Sequence, residues 1–271
     1  MSNLFMCENY CVVRKFRDKY KLVVIAGYNP NKSKAREDFA TNEQKLENSL
    51  SRSRNKVFEY SYCNDWEYFV TMTLDKTKFD RYDLKAWHKS LCHWLRNYKR
   101  KTGQKIQYLL IPERHIDGAW HIHGLLSGLP SDRLSAFPKG TPLFGTDYLN
   151  WQDYADKYGF CSVGKVGNHE AVSKYITKYI TKDMARLNNE LNANLYYCSQ
   201  GLKTSQVVCK DMIYSTCGFE LSPDFENKYV AVKWFDSYED VMRVYLCDET
   251  LNLDDFEFFD VLGESVKIQY I

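Results

Sequence analysis

Apolar residues in this chain recur at intervals of two in some stretches and of three to four in others, and each change of period predicts an element. Near the start, Val12-Val13 and Leu22-Val23-Val24-Ile25 are apolar runs among basic residues, which reads as a hairpin within 1–30. The segment 31–56 is polar and basic, with a helix expected over about 39–54. Glu67 to Leu74 alternates and is rich in β-branched and aromatic residues, the pattern of a strand. From Asp83 to Lys101 the apolar positions Leu84, Trp87, Leu91, Trp94, Leu95 and Tyr98 fall on one helical face, and Gly103 supplies a stop. Strands are expected over Gln107–Pro112 and Trp120–Ser127, around an Asp117-Gly118 turn. The stretch 129–147, with Pro130, Pro138 and Pro142, reads as a loop. A short helix (Trp151–Tyr158), a strand (Phe160–Val166) and a helix from His169 to about Leu187 follow, and beyond Leu195 the pattern leaves short strands and turns unordered.

This order predicts an α+β fold with a mostly antiparallel sheet and helices packed on one face. Three regions are expected: a basic N-terminal extension (1–60), a catalytic-type domain (61–205), and an acidic C-terminal region (206–271) that completes the fold or binds a protein. Hydrophobic residues make up 44% of the 271, which supports a packed core. No long uncharged apolar stretch and no secretory leader pattern are present, so a cytoplasmic protein with no membrane partner is expected. Nine cysteines without regular spacing read as reduced packing thiols. The net charge of +2 conceals a split. Residues 1–182 carry 30 Lys/Arg against 19 Asp/Glu, and 183–271 carry 7 against 16. The first part has the sign of a nucleic-acid binder. The stretch Val244–Val266 holds seven acidic residues and no basic one, which suits a protein partner.

Candidate chemistry begins at His121-Ile122-His123. Two residues apart on a strand, the imidazoles share one face while Ile122 points to the other. Glu113 is the candidate third ligand from the neighbouring strand. A three-residue loop from Asp117 to Ala119 would set Glu113 opposite His123; a two-residue turn would send it to the wrong face. Two imidazoles and a carboxylate suit Mn²⁺ or Mg²⁺ in catalysis. The same donors form the triad of non-heme iron oxygenases, but the usual His-x-Asp spacing is absent. His88, His93, His115 and His169 are expected to be surface or packing residues.

The second element is Tyr175-Ile176-Thr177-Lys178-Tyr179-Ile180-Thr181-Lys182. Tyr175 and Tyr179, four apart, stack on one helical face, with Lys182 about 20° and Lys178 about 60° from Tyr175. A phenol with an ordinary pKa of about 10 needs nearby positive charge to attack phosphate, and the lysines and a metal are the candidates. Lys/Arg residues in 32–56 and 96–105 are placed to track a strand, and Trp66, Trp87 and Trp120 either stack bases or fill the core.

Taken in order, these segments resemble the HUH endonucleases, specifically the two-tyrosine rolling-circle replication initiators of phage and plasmid type. Phe69 to Leu74 is similar to their first motif, Glu113 with His121-Ile122-His123 to the metal motif, and Tyr175 to Tyr179 to the tyrosine motif. Ser199-Gln200-Gly201-Leu202-Lys203 resembles a downstream Ser-Arg-Gly-Leu-Lys element, with Gln200 in place of arginine. The resemblance implies a ferredoxin-like or RRM-like sheet and makes 61–205 the endonuclease domain. It also implies a metal held by Glu113, His121 and His123, attack by Tyr175 or Tyr179 on a single strand at a replication origin, and a 5′-phosphotyrosine link. The free 3′-OH would prime a polymerase, and the strand would later be rejoined. Lys178 would stabilise phosphate charge, with Lys182 and Lys203 as DNA contacts. The implied setting is the cytoplasm of a bacterial host, with a host helicase or polymerase as partner. A relaxase or transposase with the same chemistry, and a non-catalytic single-strand binder, are the alternatives.

Overall fold

The computed structural model of the chain describes residues 9–26, 42–181, 194–213, 222–227, 230–246, 258–259 and 265–266. In chain order the first elements are β1 (Asn9–Lys15), β2 (Tyr20–Ala26), α1 (Asn42–Cys63), β3 (Tyr68–Thr73) and α2 (Leu84–Thr102). Next come β4 (Gln107–Arg114), β5 (Trp120–Ser127), β6 (Leu134–Ala136), β7 (Leu149–Trp151), α3 (Gln152–Lys157), β8 (Cys161–Lys165) and α4 (His169–Ile176). The last are β9 (Tyr197–Cys198), β10 (Gln206–Ile213), β11 (Phe225–Glu226), β12 (Val230–Phe235), α5 (Tyr238–Leu246), and the short pair β13 (Phe258–Phe259) and β14 (Ser265–Val266). The chain is α+β, and every ladder between described strands is antiparallel.

The chain divides into two compact units, 1–30 with 206–271, and 31–205. These boundaries differ from 1–60, 61–205 and 206–271. The N-terminal hairpin β1–β2 forms, but its edges are taken by β10 and β12, giving the order β10-β1-β2-β12-β11. Its core is Val13, Leu22, Val24 and Ala231 beneath Val241 and Met242 of α5. The N-terminal and C-terminal segments thus share one sheet, because neither hairpin nor single strand can bury an apolar face alone. Most of the acidic stretch 244–266 lies outside the described residues.

The unit 31–205 carries the sheet β6-β7-β8-β3-β5-β4-β9. Its centre, β8-β3-β5-β4, has the order 4-1-3-2 when those four strands are numbered along the chain, the ferredoxin-like arrangement. Helices cover both faces of this sheet rather than one. On one side α2 and α3 lay Trp87, Leu91, Leu95 and Tyr154 on Val70, Met72, Leu110, Trp120 and Ile122. On the other, α1 and α4 lay Leu50, Val57 and Ile176 on Leu109, Ile111 and Leu125. The reason is visible in Leu109-Leu110-Ile111 and Leu125-Leu126: consecutive buried apolar residues belong to strands covered twice. Each such buried side chain contributes about 1.5–3 kcal/mol by leaving water.

α2 follows its pattern closely. Asp83 caps it by accepting from the Ala86 N–H (2.9 Å), and Gly103 ends it at φ 75°. α1 runs to Cys63, well past the expected end near 54, because Val57, Tyr62 and Cys63 are buried. Trp66, Trp87 and Trp120 are only 2–3% exposed, so they are core and not base-stacking platforms.

Candidate functional site

The second face of the sheet, shared with α1 and α4, carries the candidate chemistry. β5 exposes His121 and His123 to this face, since Trp120, Ile122 and Leu126 go to the other. The β4–β5 loop is odd, as the face requires, but one residue earlier than expected: the His115 N–H donates to the Ala119 carbonyl (2.9 Å), leaving Ile116, Asp117 and Gly118 as the loop. Gly118 takes φ 85°, open chiefly to glycine. Glu113 therefore lies opposite His121, not His123, a shift of two that keeps it on the same face.

Its carboxylate reaches diagonally. Glu113 Oε2 lies 2.7 Å from His123 Nε2. On the far side of the ring, Thr71 Oγ1 lies 3.1 Å from His123 Nδ1, because Thr71 pairs with His123 across β3 and β5. A hydroxyl both donates and accepts, so Thr71 satisfies Nδ1 in either tautomer and leaves Nε2 directed at the Glu113 oxygen. Burial holds the His123 pKa below its ordinary 6.5, outweighing the opposing pull of Glu113. The ring is thus neutral near pH 7, the form that ligates metal.

His121 faces the same side, but its ring stacks on His115 (centroids 5.0 Å, 8° apart). His115 in turn reaches Asp117 (3.3 Å). Burial, then the neighbouring His115 and His123, push the His121 pKa down. Among the described residues no three His, Cys, Asp or Glu side chains gather as a metal-binding group. Glu113 and His123 converge; His121 must turn from His115 to join them. The donor chemistry fits a divalent cation, with two neutral imidazoles, a carboxylate and a hydroxyl-oriented ring.

α4 brings the tyrosines to this cluster. Asn168 caps its start by accepting from the Ala171 N–H (2.9 Å), and Ile176 anchors it in the core. The expected helix to 187 stops at Ile176 and tightens into a 3-10 turn, Thr177–Tyr179. The chain then leaves helical geometry at Ile180 (φ −89°, ψ 91°), whose carbonyl accepts from Arg54 Nε (2.9 Å). Arg54, expected to follow a DNA strand, thus fixes the end of this turn.

Tyr175 and Tyr179 share a hydrogen bond between their hydroxyls (2.9 Å). The Tyr179 ring stacks on His123, centroids 4.0 Å apart and 15° from parallel. Phe69 packs edge-on to Tyr175 (5.5 Å). Lys178 Nζ sits 5.3 Å over the Tyr175 ring. The expectation that nearby cations lower the phenol pKa is not met at Tyr179. Burial, the hydrogen bond and charge of Tyr175, and the charges of Glu113 and Tyr148 all raise it, so Tyr179 is a phenol, not a phenolate.

Lys182 lies outside the described residues. Lys203 stands apart from the tyrosines: its backbone is clamped by Asn64 on both N–H (2.8 Å) and carbonyl (2.9 Å), and its ammonium lies 4.0 Å from Asp65. Thr71, His115, Tyr148 and Arg54 are site neighbours that pattern reasoning missed. His115 was detectable, being two residues from Glu113 on the same strand face; the others depend on strand register and loop packing.

Among the described residues no helix is long and apolar enough to cross a membrane. No curated protein and no solved structure matches the chain. Residues 67–184, which carry Glu113, His121, His123, Tyr175 and Tyr179, match the family described as replication-associated protein of the ORF2 and gene 2 protein type, and through this segment the chain belongs to that family.

Proposed function

We propose that this chain is a rolling-circle replication initiator that nicks one DNA strand at an origin through Tyr175 or Tyr179 and later rejoins it. The observation that carries this reading is the stacking of Tyr179 on His123 at 4.0 Å, with Tyr175 hydrogen-bonded to Tyr179, beside the Glu113 carboxylate. A phenolic oxygen attacks phosphorus, the bond to the 3′ oxygen breaks, and that oxygen leaves as a 3′-OH after taking a proton. The attacking phenol gives its proton to water and keeps the 5′ phosphate. Rejoining is the reverse attack by a 3′-OH and needs no ATP, since the phosphodiester is conserved as phosphotyrosine. Glu113, His123 and His121 would hold Mn²⁺ or Mg²⁺, which supplies positive charge at the phosphate and favours the phenolate. Thr71 orients His123, and Lys178, exposed beside Tyr175, balances phosphate charge. The strand must be single or extruded, because a duplex hides the backbone geometry required. A polymerase and a helicase of the host are the expected partners.

The test is capture from a single-stranded pool with a randomised centre, incubated in Mn²⁺ and resolved on denaturing gels. Wild type should give a covalent adduct, and the Tyr175→Phe, Tyr179→Phe double variant none. A captured strand with a dedicated transfer partner or terminal repeats would indicate a relaxase or transposase. The second reading, a non-catalytic single-strand binder, is favoured by the raised Tyr179 pKa and the divided histidines. Binding without any adduct would decide for it.

A further inference from the structure

A cleft of about 990 Å³ opens beside Tyr175, with Phe69, Tyr148, Lys165 and Asn168 among its walls. It belongs to the part of the chain whose pattern predicted only a loop and a strand. One wall is aromatic. Tyr148 lies down on β8 because position 164 is glycine: a Cβ there would come within 2.9 Å of the Tyr148 ring. Gly164 is the cross-strand partner of Phe69, and Phe69 meets Tyr175 edge-on, so three rings run from the cleft to the candidate nucleophile. Tyr148 is 45% exposed, so a ring face remains open to a ligand. The opposite wall is polar and positive. It holds the start of α4, with Asn168 committed through Oδ1 to the helix cap and Nδ2 still a donor, and the exposed Lys165 ammonium.

An aromatic face, an amide donor, a helix N-terminus and a cation within one cleft are complementary to a base joined to a phosphate. Continuity with Tyr175 fixes which nucleotide it must be. We infer that the cleft seats one unstacked nucleotide of the DNA strand next to the scissile phosphate, with its base on Tyr148, and so sets the sequence preference at that position. This rests on the strand-nicking reading and adds where the strand is read. An isolated Tyr148 would be an ordinary surface tyrosine; the glycine that lets it lie flat, and the cleft it lines up to Tyr175, distinguish it.

The test separates binding from chemistry. The probe is the strand captured by the wild type, or a 30-mer of mixed sequence if none is captured, with an abasic site walked through it. Affinity is read by fluorescence anisotropy on the Tyr175→Phe, Tyr179→Phe double variant, with and without Tyr148→Ala. One abasic position should weaken binding about tenfold or more when Tyr148 is present and have no further effect when it is absent. Tyr148→Trp should keep that coupling, and Gly164→Ala, which displaces the ring, should lose it. Circular dichroism checks that each variant is folded. Among strands captured by wild type, one position beside the break should be strongly biased and should lose its bias in Tyr148→Ala. Adducts that form with no abasic position coupled to Tyr148 would overturn the cleft and leave nicking intact. Coupling without adducts would overturn nicking and keep the cleft as a base-binding site. Neither coupling nor adducts would overturn both.

Discussion

Thr71→Val removes one hydroxyl and nothing else of size. Valine keeps the β-branched shape that suits β3, and position 71 stays paired with His123. What is lost is the 3.1 Å contact to Nδ1 of a buried ring. A buried polar nitrogen left without a partner costs about 1–3 kcal/mol, so unfolding in urea should shift by that amount. The larger effect is on ligation. Without the hydroxyl, neither the tautomer nor the orientation of His123 is held, and loss of such a partner typically costs roughly 10–100-fold in metal affinity or activity. The Mn²⁺ concentration giving half-maximal DNA adduct should therefore rise by that factor, while the maximal adduct at saturating Mn²⁺ recovers. Thr71→Ser, which restores the hydroxyl, should return both quantities towards wild type. If Thr71→Val reaches half-maximal adduct at the wild-type Mn²⁺ concentration, the hydroxyl does not position His123, and the reading of Nε2 as a ligand falls with it.

Two other perturbations follow from contacts around the site. Arg54→Gln removes the bond to the Ile180 carbonyl that ends the 3-10 turn, so stability should fall by about 1 kcal/mol. In a Tyr175→Phe background the adduct through Tyr179 should drop, whereas in Tyr179→Phe the adduct through Tyr175 should change little; equal losses would contradict the link. Burial is the main cause holding the pKa values of His88, His121 and His123 below 6.5. As pH drops below about 6.5 the unfolded chain takes up protons first, so stability falls through the window down to the folded pKa values and is flat on their account above it. Urea midpoints at pH 7.5, 6.5 and 5.5 read this directly. His88→Gln should reduce the drop, and a midpoint that rises on acidification would contradict the sign.

Much of the site was legible because its signals are local. The spacing of Leu84, Trp87, Leu91 and Tyr98 delimits α2 almost to the residue, and the alternation through His121-Ile122-His123 fixes which face the imidazoles share. Parity alone required an odd β4–β5 loop if Glu113 was to join them. Parity cannot choose between partners two apart, so the loop of Ile116–Gly118 and the pairing of Glu113 with His121 had to come from the structure. Thr71 was out of reach for a similar reason, since its place depends on the register between β3 and β5, which no turn connects. The helix through Tyr179 looked continuous because Tyr175–Lys178 and Tyr179–Lys182 are the same four residues repeated; Arg54, more than a hundred residues earlier, receives the carbonyl where it ends. The second layer of helices was written in Leu109-Leu110-Ile111, a run too apolar for a strand covered on one side only. The sharing of one sheet by the two ends of the chain left no local mark, because long-range strand pairing does not.

The central claim is that a phenol of this chain becomes joined to DNA. Trypsin would release Tyr-Ile-Thr-Lys from either position, so the adduct should be cut after glutamate instead, giving one peptide from Ala171 to Glu190 that holds both tyrosines. After nuclease trimming, fragmentation of that peptide by mass spectrometry should find a nucleotide 5′-phosphate on Tyr175 or Tyr179, formed only with divalent metal. A nucleotide on any residue outside these two, or an unmodified peptide from protein that has cut its strand, would contradict the account.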